Sequence, residues 1–165
     1  MPRLDATDQL ALLATAGELV VAIRANEVFQ IRRAVETRTR KLESNLFAVD
    51  LEDITLPGWD LGELFKLGTC TDAWIIVEPM AGRKLKRFCL RVGKCIAVHR
   101  LPKCHSMPRG VFTSRSSAIA SAFATREIAE VQSWPSGGVL DLDALLASAE
   151  IEAGLKVVAR REGLA

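Results

Sequence analysis

The chain has 165 residues, 49% hydrophobic and 25% charged, with a formal net charge of only +2, the composition of an ordinary globular protein with room for one good core or two small ones. No segment reaches the roughly 18 uninterrupted apolar residues that cross a bilayer, and no apolar run follows a basic head, so no membrane span and a cytoplasmic location are expected. Four cysteines in such a chain read as reduced thiols and not as a disulfide framework.

In chain order, residues 5 to 17 predict an amphipathic helix, capped by Thr7 or Asp8, with Leu10, Leu12, Leu13 and Ala16 on its apolar face and Gly17 as its stop. Glu18 to Arg24 is a strand with a β-branched centre, Asn26-Glu27 is a turn, and Val28 to Ile31 is expected to return as that strand's partner. Ala34 to Lys41 alternates, with Val35, Thr37 and Thr39 opposite Glu36, Arg38 and Arg40, the pattern of a strand with one wet side. Its arginines make it a candidate contact edge. Phe47 adds an apolar side chain near the next strand start.

Val49 to Leu67, V-D-L-E-D-I-T-L-P-G-W-D-L-G-E-L-F-K-L, is the best-organised passage. Val49 and Leu51 alternate with Asp50 and Glu52, Ile54 to Leu56 supply a second β-prone run, and Pro57-Gly58 interrupts it. Asp60 stands at an N-cap with Glu63 placed for a capping box, and Leu61, Leu64 and Phe65 share one helical face. The phrase returns as L-D-L-D-A-L-L at Leu140 to Leu146, which suggests a duplicated architecture.

Between the two phrases, Ala73 to Glu78, Leu85 to Val92 and Cys95 to Leu101 read as strands joined by turns at Ala81-Gly82 and Gly93-Lys94, a β-meander as in small barrels and sandwiches. Phe88, Leu90 and Val92 form the apolar side of the second strand. Pro102 to Thr125 reads as a long loop followed by an Ala-rich segment. Glu127 to Trp134 and Val139 to Leu142 resume strand patterning around the turn S-G-G. A helix begins at Asp141 and continues towards Arg160-Arg161, a basic end that suits the helix dipole, with Gly154 weakening a continuous rod.

Charge is unevenly placed. Pro79 to Thr125 contains no Asp or Glu and carries +10, from Arg83 through Arg115, while the rest carries −8. Such asymmetry suits an anionic partner or is balanced by the acidic half of the same molecule. A nucleic-acid-binding β-barrel using the basic 83–115 region is therefore an alternative, although its stacking platforms would be limited to Phe88, Phe112 and Phe123.

Catalytic and metal chemistry find little support. Cys95, His99, Cys104 and His105 lie within eleven residues, and Cys95 and His99 would share one side of a strand, but the spacing matches no paired-knuckle zinc pattern. Free thiols and two ordinary histidines explain them more simply. Cys104-His105 are neighbours, which does not orient a nucleophile against a base, and Ser114 to Ser117 lack an elbow motif. The acids at Glu52-Asp53 and Asp141-Asp143 suit turns and caps, and Val92-Gly93-Lys94-Cys95 is no P-loop. The expectation is a protein that is not an enzyme, with no cofactor and no metal.

The two D-L-x-x-L phrases and the strands between them resemble the CheW-like adaptor family of bacterial chemosensory systems. Members carry a passage like V-N-L-R-G-R-V-I-P-V-V-D-L-R-E-L-L, and Val49 to Phe65 runs alongside it without a gap. Trp74 to Glu78, Arg87 to Gly93, Ile96 to Pro102 and Val139 to Leu146 follow the family's second subdomain, so the resemblance covers roughly Glu18 to Leu146. It implies two intertwined five-stranded SH3-like β-barrels with an apolar seam. The expected layout is an N-terminal helix at 1–17, subdomains at about 18–68 and 73–146 with strands that can cross between them, and a helical tail at 147–165. It also implies a non-catalytic adaptor for motility or chemosensory signalling, bridging a chemoreceptor to a CheA-type histidine kinase. The family's N-L-R-G turn is here Asp50-Leu51-Glu52-Asp53: a cationic turn has become anionic, and a glycine tolerant of positive φ has been lost. Phe47 stands where the family often has glycine. The resemblance thus implies a divergent adaptor with an altered partner, with Arg38, Arg40, Phe47, Asp50, Glu52 and Asp53 as candidate protein-contact residues.

Overall fold

A computed structural model describes residues 10–79, 87–101, 104–106 and 118–161. Among the described residues, twelve strands form two six-stranded sheets. The first repeat supplies β1 (Leu10–Ala16), β2 (Leu19–Arg24), β3 (Val28–Arg33), β4 (Arg38–Glu43), β5 (Leu46–Asp50), β6 (Thr55–Asp60) and the short helix α1 (Leu61–Leu64). The second supplies β7 (Ala73–Val77), β8 (Phe88–Val92), β9 (Cys95–Arg100), β10 (His105–Ser106), β11 (Ile119–Phe123), β12 (Ser136–Leu140) and α2 (Leu142–Leu146), followed by α3 (Ala149–Arg161).

The sheets run β3-β7-β8-β6-β5-β4 and β10-β11-β12-β2-β1-β9. Each holds four strands of one repeat and the first hairpin of the other. Hairpin β7–β8 enters the first sheet, where β8 lies parallel to β6; hairpin β1–β2 enters the second, where β2 lies parallel to β12. The outermost strands of the first sheet, β3 and β4, are joined by only four residues, 34–37, which reach about 14 Å at full extension. Its edges are thereby drawn together, and each sheet curls into a barrel. Six strands, not five, make each one.

The exchanged hairpins are buried on both faces. Leu13, Val20 and Ala22 point into one barrel with Val131 and Val139, while Trp74, Ile76 and Cys89 point into the other with Phe47, Val49 and Leu56. Their opposite faces, Leu12, Val21 and Ile23 against Ile75, Phe88 and Leu90, form the apolar seam between the barrels. Each fully buried aliphatic side chain there contributes on the order of 2 kcal/mol. This explains the first correction: residues 10–16 are strand β1 and not a helix, because a strand buried on both faces loses its alternation and L-A-L-L-A-T-A mimics helical spacing. Residues 1–9 lie outside the described residues.

Other expectations shift for related reasons. Strand β3 pairs with β7 and not with β2; a 3-10 turn at Ala25–Glu27 carries the chain from one sheet to the other. Ala34–Glu36 is a second 3-10 turn, so the alternating strand starts only at Arg38. Strands β8 and β9 belong to different sheets, which replaces the expected meander by a crossing at Gly93-Lys94. Consequently β7 and β8 complete the first barrel and β1 and β2 the second. Glu127 to Trp134 is not a strand but contains the 3-10 turn Ala129–Val131, and S-G-G lies inside β12. The expected turn at Ala81-Gly82, and residues 107–117 of the expected loop, lie outside the described residues.

Pro57 and Gly58 are strand residues as well. Pro57 falls just before the stretch Gly58–Asp60 that pairs with β8, and Gly58 lets Trp74 pack flat: a Cβ there would stand 2.7 Å from Trp74 Cζ3. Helix α3 ends in Arg160 and Arg161 as expected, and Ala147-Ser148 separates it from α2. Gly154 does not break it, because it is the point where α3 crosses the Trp59 ring, with Ile151 and Val158 buried beside the seam.

Both predicted caps form. Asp60 Oδ1 accepts from Glu63 N at 3.1 Å, and Asp141 Oδ1 accepts from Asp143 N and Ala144 N. The reciprocal bond expected from Glu63 is replaced: Glu63 accepts from Thr69, while Asn45 Oδ1 accepts from Asp60 N and Asn45 Nδ2 donates to Asp60 O. Asp60 is fully buried, and its Oδ2 accepts from Arg91 Nε and Nη2 at 3.1 and 3.0 Å and from Cys70 N at 2.9 Å. Removing one partner of such a pair strands a buried charge, at a cost of about 3–5 kcal/mol. In urea denaturation, Asp60→Ala and Arg91→Met are each expected to destabilise by about that amount, and the double variant by clearly less than their sum. Additive losses would contradict the pairing.

Candidate functional site

Arg38, Asp50 and Thr55 are cross-strand partners in one row over β4, β5 and β6. Asp50 is the row's centre. Arg40 donates to both of its oxygens, Nε to Oδ2 at 3.2 Å and Nη2 to Oδ1 at 3.0 Å, Thr55 Oγ1 donates to Oδ1 at 2.8 Å, and Arg38 Nε stands 3.9 Å away. Arg40's two bonds hold the Asp50 carboxyl below the usual carboxylate range against the opposing effect of partial burial, with help from Thr55 and the charges of Arg40 and Arg38.

Beyond this row the β5–β6 hairpin closes through Leu51 N donating to Ile54 O at 2.9 Å, leaving Glu52 and Asp53 at the tip. Both tip residues keep negative φ; among the described residues Lys66 is the one non-glycine with positive φ. A glycine at position 53 is therefore not required for the turn, and its expected conformational cost does not arise. Glu52 reaches back to β3, where its Oε1 lies 3.1 Å from Arg32 Nη2; the Glu52 side chain is 81% exposed and that of Arg32 19%. The anionic tip is thus tied to an internal cation. Arg38, Asp50, Leu51, Glu52, Asp53, Ile54 and Thr55 line an open concavity of about 400 Å³.

Five of the six sequence-derived contact residues, Arg38, Arg40, Asp50, Glu52 and Asp53, therefore gather at one end of the first barrel. Phe47 does not join them as surface. It is buried inside the barrel, its ring 5.7 Å from that of Trp74 and edge-on to it, with the Arg91 guanidinium 4.6 Å over its face. Sequence reasoning missed Arg32 and the apolar Ile54, which is 45% exposed. It also missed a second surface along β3 and the 3-10 turn after it, where Phe29 and Ile31 and then Val35 are exposed and the Arg87 guanidinium stacks 3.7 Å over Phe29. Expecting Val28 to Ile31 to pair with β2 hid that edge.

The rival chemistries fare differently. Cys95 pairs with Ala14 on the seam side, whereas His99 pairs with Ala11, which faces the barrel interior; the bulge between them puts the two on opposite faces. Among the described residues no group of three or more His, Cys, Asp or Glu could hold a metal ion. Phe88 and Phe123 are buried in cores, which removes two of the three stacking platforms named for nucleic acid; Phe112 lies outside the described residues. Arg87 and Arg91 from the basic block are paired with Glu78 and Asp60. No helix among the described residues is long and apolar enough to cross a membrane.

The fold is similar to that of the scaffolding protein TtCheW from Thermoanaerobacter tengcongensis, with a TM-score of 0.66 and 14% sequence identity, over 86% of this chain and 94% of that one. The chain has the CheW fold. No family model and no curated protein matches its sequence.

Two measurements check the local electrostatics. A depressed carboxyl lends stability above its unfolded pKa of about 3.9 that is lost as pH falls through the folded value, so the tip should loosen only below about pH 4. By NMR titration, Asp50 should titrate higher in Arg40→Ala than in the unchanged chain, and equal midpoints would contradict the assignment. Burial pushes the Cys89 thiol up to about 12, so iodoacetamide at pH 8 should leave Cys89 unlabelled until denaturant is added.

Proposed function

We propose that this protein is a non-catalytic adaptor of a bacterial chemosensory or motility pathway, working in the cytoplasm and joining protein partners of the CheA-type histidine kinase and chemoreceptor class or their diverged equivalents. The observation that carries this reading is the CheW fold, shared over 86% of the chain with a scaffolding protein. The site's chemistry suits recognition: its carboxylates at Asp50 and Glu52 are paired with arginines, and the concavity they line is open.

The β5–β6 tip is the contact region on this reading. Where family members offer an arginine, this chain offers Glu52 held by Arg32, which alters partner choice through charge. Restoring the family's turn with Glu52→Arg and Asp53→Gly would set two guanidiniums side by side unless Arg32→Gln accompanies them. Affinity capture of the tagged chain from its own cells is expected to recover a histidine kinase or a chemoreceptor. Recovery of neither would sink the signalling role while leaving the fold intact. In parallel, the triple variant Arg32→Gln, Glu52→Arg, Asp53→Gly is expected to bind a conventional CheA regulatory domain at least tenfold more tightly than the unchanged chain. No gain, in a variant that melts like the parent, would refute the tip as the origin of the changed specificity.

A further inference from the structure

The two repeats, Leu10–Leu64 and Ala73–Leu146, are joined by a single connection, residues 65–72. Every exchanged element is separated from its destination by that connection: β1–β2 precede it and complete the barrel built after it, and β7–β8 follow it and complete the barrel built before it. Nothing in the strand pairing or the seam requires both repeats to come from one molecule. We propose that the hairpin completing each repeat's sheet can also come from a second copy of this chain, giving a dimer in which repeat one of each copy pairs with repeat two of the other. The inference rests on the fold alone and not on the adaptor reading.

The connection has the build of a hinge. Helix α1 ends with Lys66 N donating to Glu63 O at 3.2 Å and Leu67 N donating to Gly62 O at 2.7 Å, the paired bonds of a Schellman turn. The residue that must take the left-handed conformation there is Lys66, at φ 56°, where glycine is the usual choice. Gly68 follows at φ 99° and completes the reversal. Straightening the connection frees Lys66 from a conformation its Cβ disfavours and lets α1 run on. The hairpin to be exchanged grips the same spot: Gly17, at the β1–β2 turn, sits so close to Leu67 that a Cβ on it would stand 2.5 Å from Leu67 O. Hinge and hairpin therefore release together. Eight extended residues reach about 26–29 Å, enough to pass from one two-barrel unit to its neighbour.

Such a dimer gives up the contacts of residues 65–72, among them the Cys70 N bond to Asp60 Oδ2, the burial of Cys70 in the seam and the Asp72 bonds to Ala34 N and Val92 O, and keeps the strand pairing and the rest of the seam. The balance between the two is then set by those contacts, hinge strain and protein concentration, and their exchange is slow because it requires the seam to open. The test is to refold the full chain from urea at low and high micromolar concentration and to follow mass by size-exclusion chromatography with light scattering. The expected result is a species of twice 18.0 kDa whose share rises with refolding concentration, survives hours of dilution in native buffer, and falls several-fold in Lys66→Gly, which relieves the hinge. Monomer at every concentration would overturn the proposal. So would a dimer that dissociates at once on dilution, the behaviour of surface association, or one whose yield Lys66→Gly leaves unchanged.

Discussion

The buried carboxylate of Asp60 holds together parts of the chain that have no local reason to meet. Through its own backbone it is bound to Asn45, in the turn between β4 and β5. Its side chain caps α1, takes the amide of Cys70 from the connection between repeats, and receives both nitrogens of Arg91 from the exchanged strand β8. Because Asp60 is fully buried, its charge is tolerable only if those donors are in place, so the ion pair discriminates between the exchanged arrangement and any other docking of β8. Arg91 then extends the constraint into the barrel, lying over Phe47 and within 5.4 Å of the Trp74 ring centre. The second repeat keeps the cap at Asp141, whose carboxylate among the described residues is bonded within its own helical turn, so the two barrels are alike in topology and unequal in the electrostatic anchoring that these residues provide.

What sequence reading recovered was local. The caps at Asp60 and Asp141, the strand at Leu19–Arg24 and the one at Ala73–Val77 each depend on a few consecutive residues, and each formed as expected. Pairing is not local. Periodicity reports which side of a strand is wet and says nothing about which strand lies next to it, so β3 was assigned to β2 and β9 to β8, although both belong to other sheets. The same exchange concealed β1, since a strand between a barrel interior and a seam has no wet side to reveal its period of two.

The site divides along the same line. Asp50, Glu52 and Asp53 were legible because a turn's chemistry sits in adjacent residues, and the arginines of β4 were legible from alternation. Arg32 was not, being twenty residues from Glu52 and brought to it only by the curling that sets β3 near the β5–β6 tip. Phe47 was misjudged as surface because its burial depends on Trp74 and Arg91, both delivered by the other repeat's hairpin. The charge reversal at the tip is real in sequence, but in the folded protein it is partly answered by Arg32, so the difference from the family lies in the arrangement of charges more than in their sum.

Since each barrel borrows a hairpin from the other repeat, neither can lose its structure without opening the seam, and the two should unfold as one unit. The chain carries its own reporters of this. Trp74 lies inside the first barrel and Trp134 packs against the core of the second. The most direct measurement is equilibrium urea unfolding of variants whose single tryptophan is Trp74 or Trp134, with Trp59 of the seam replaced by Phe in both, followed by fluorescence and by far-ultraviolet circular dichroism on each. Exchange of hairpins predicts that, within each variant, fluorescence and dichroism share one midpoint and one slope, whichever barrel the tryptophan reports. A barrel that melts ahead of the dichroism, leaving its neighbour folded, would contradict the account.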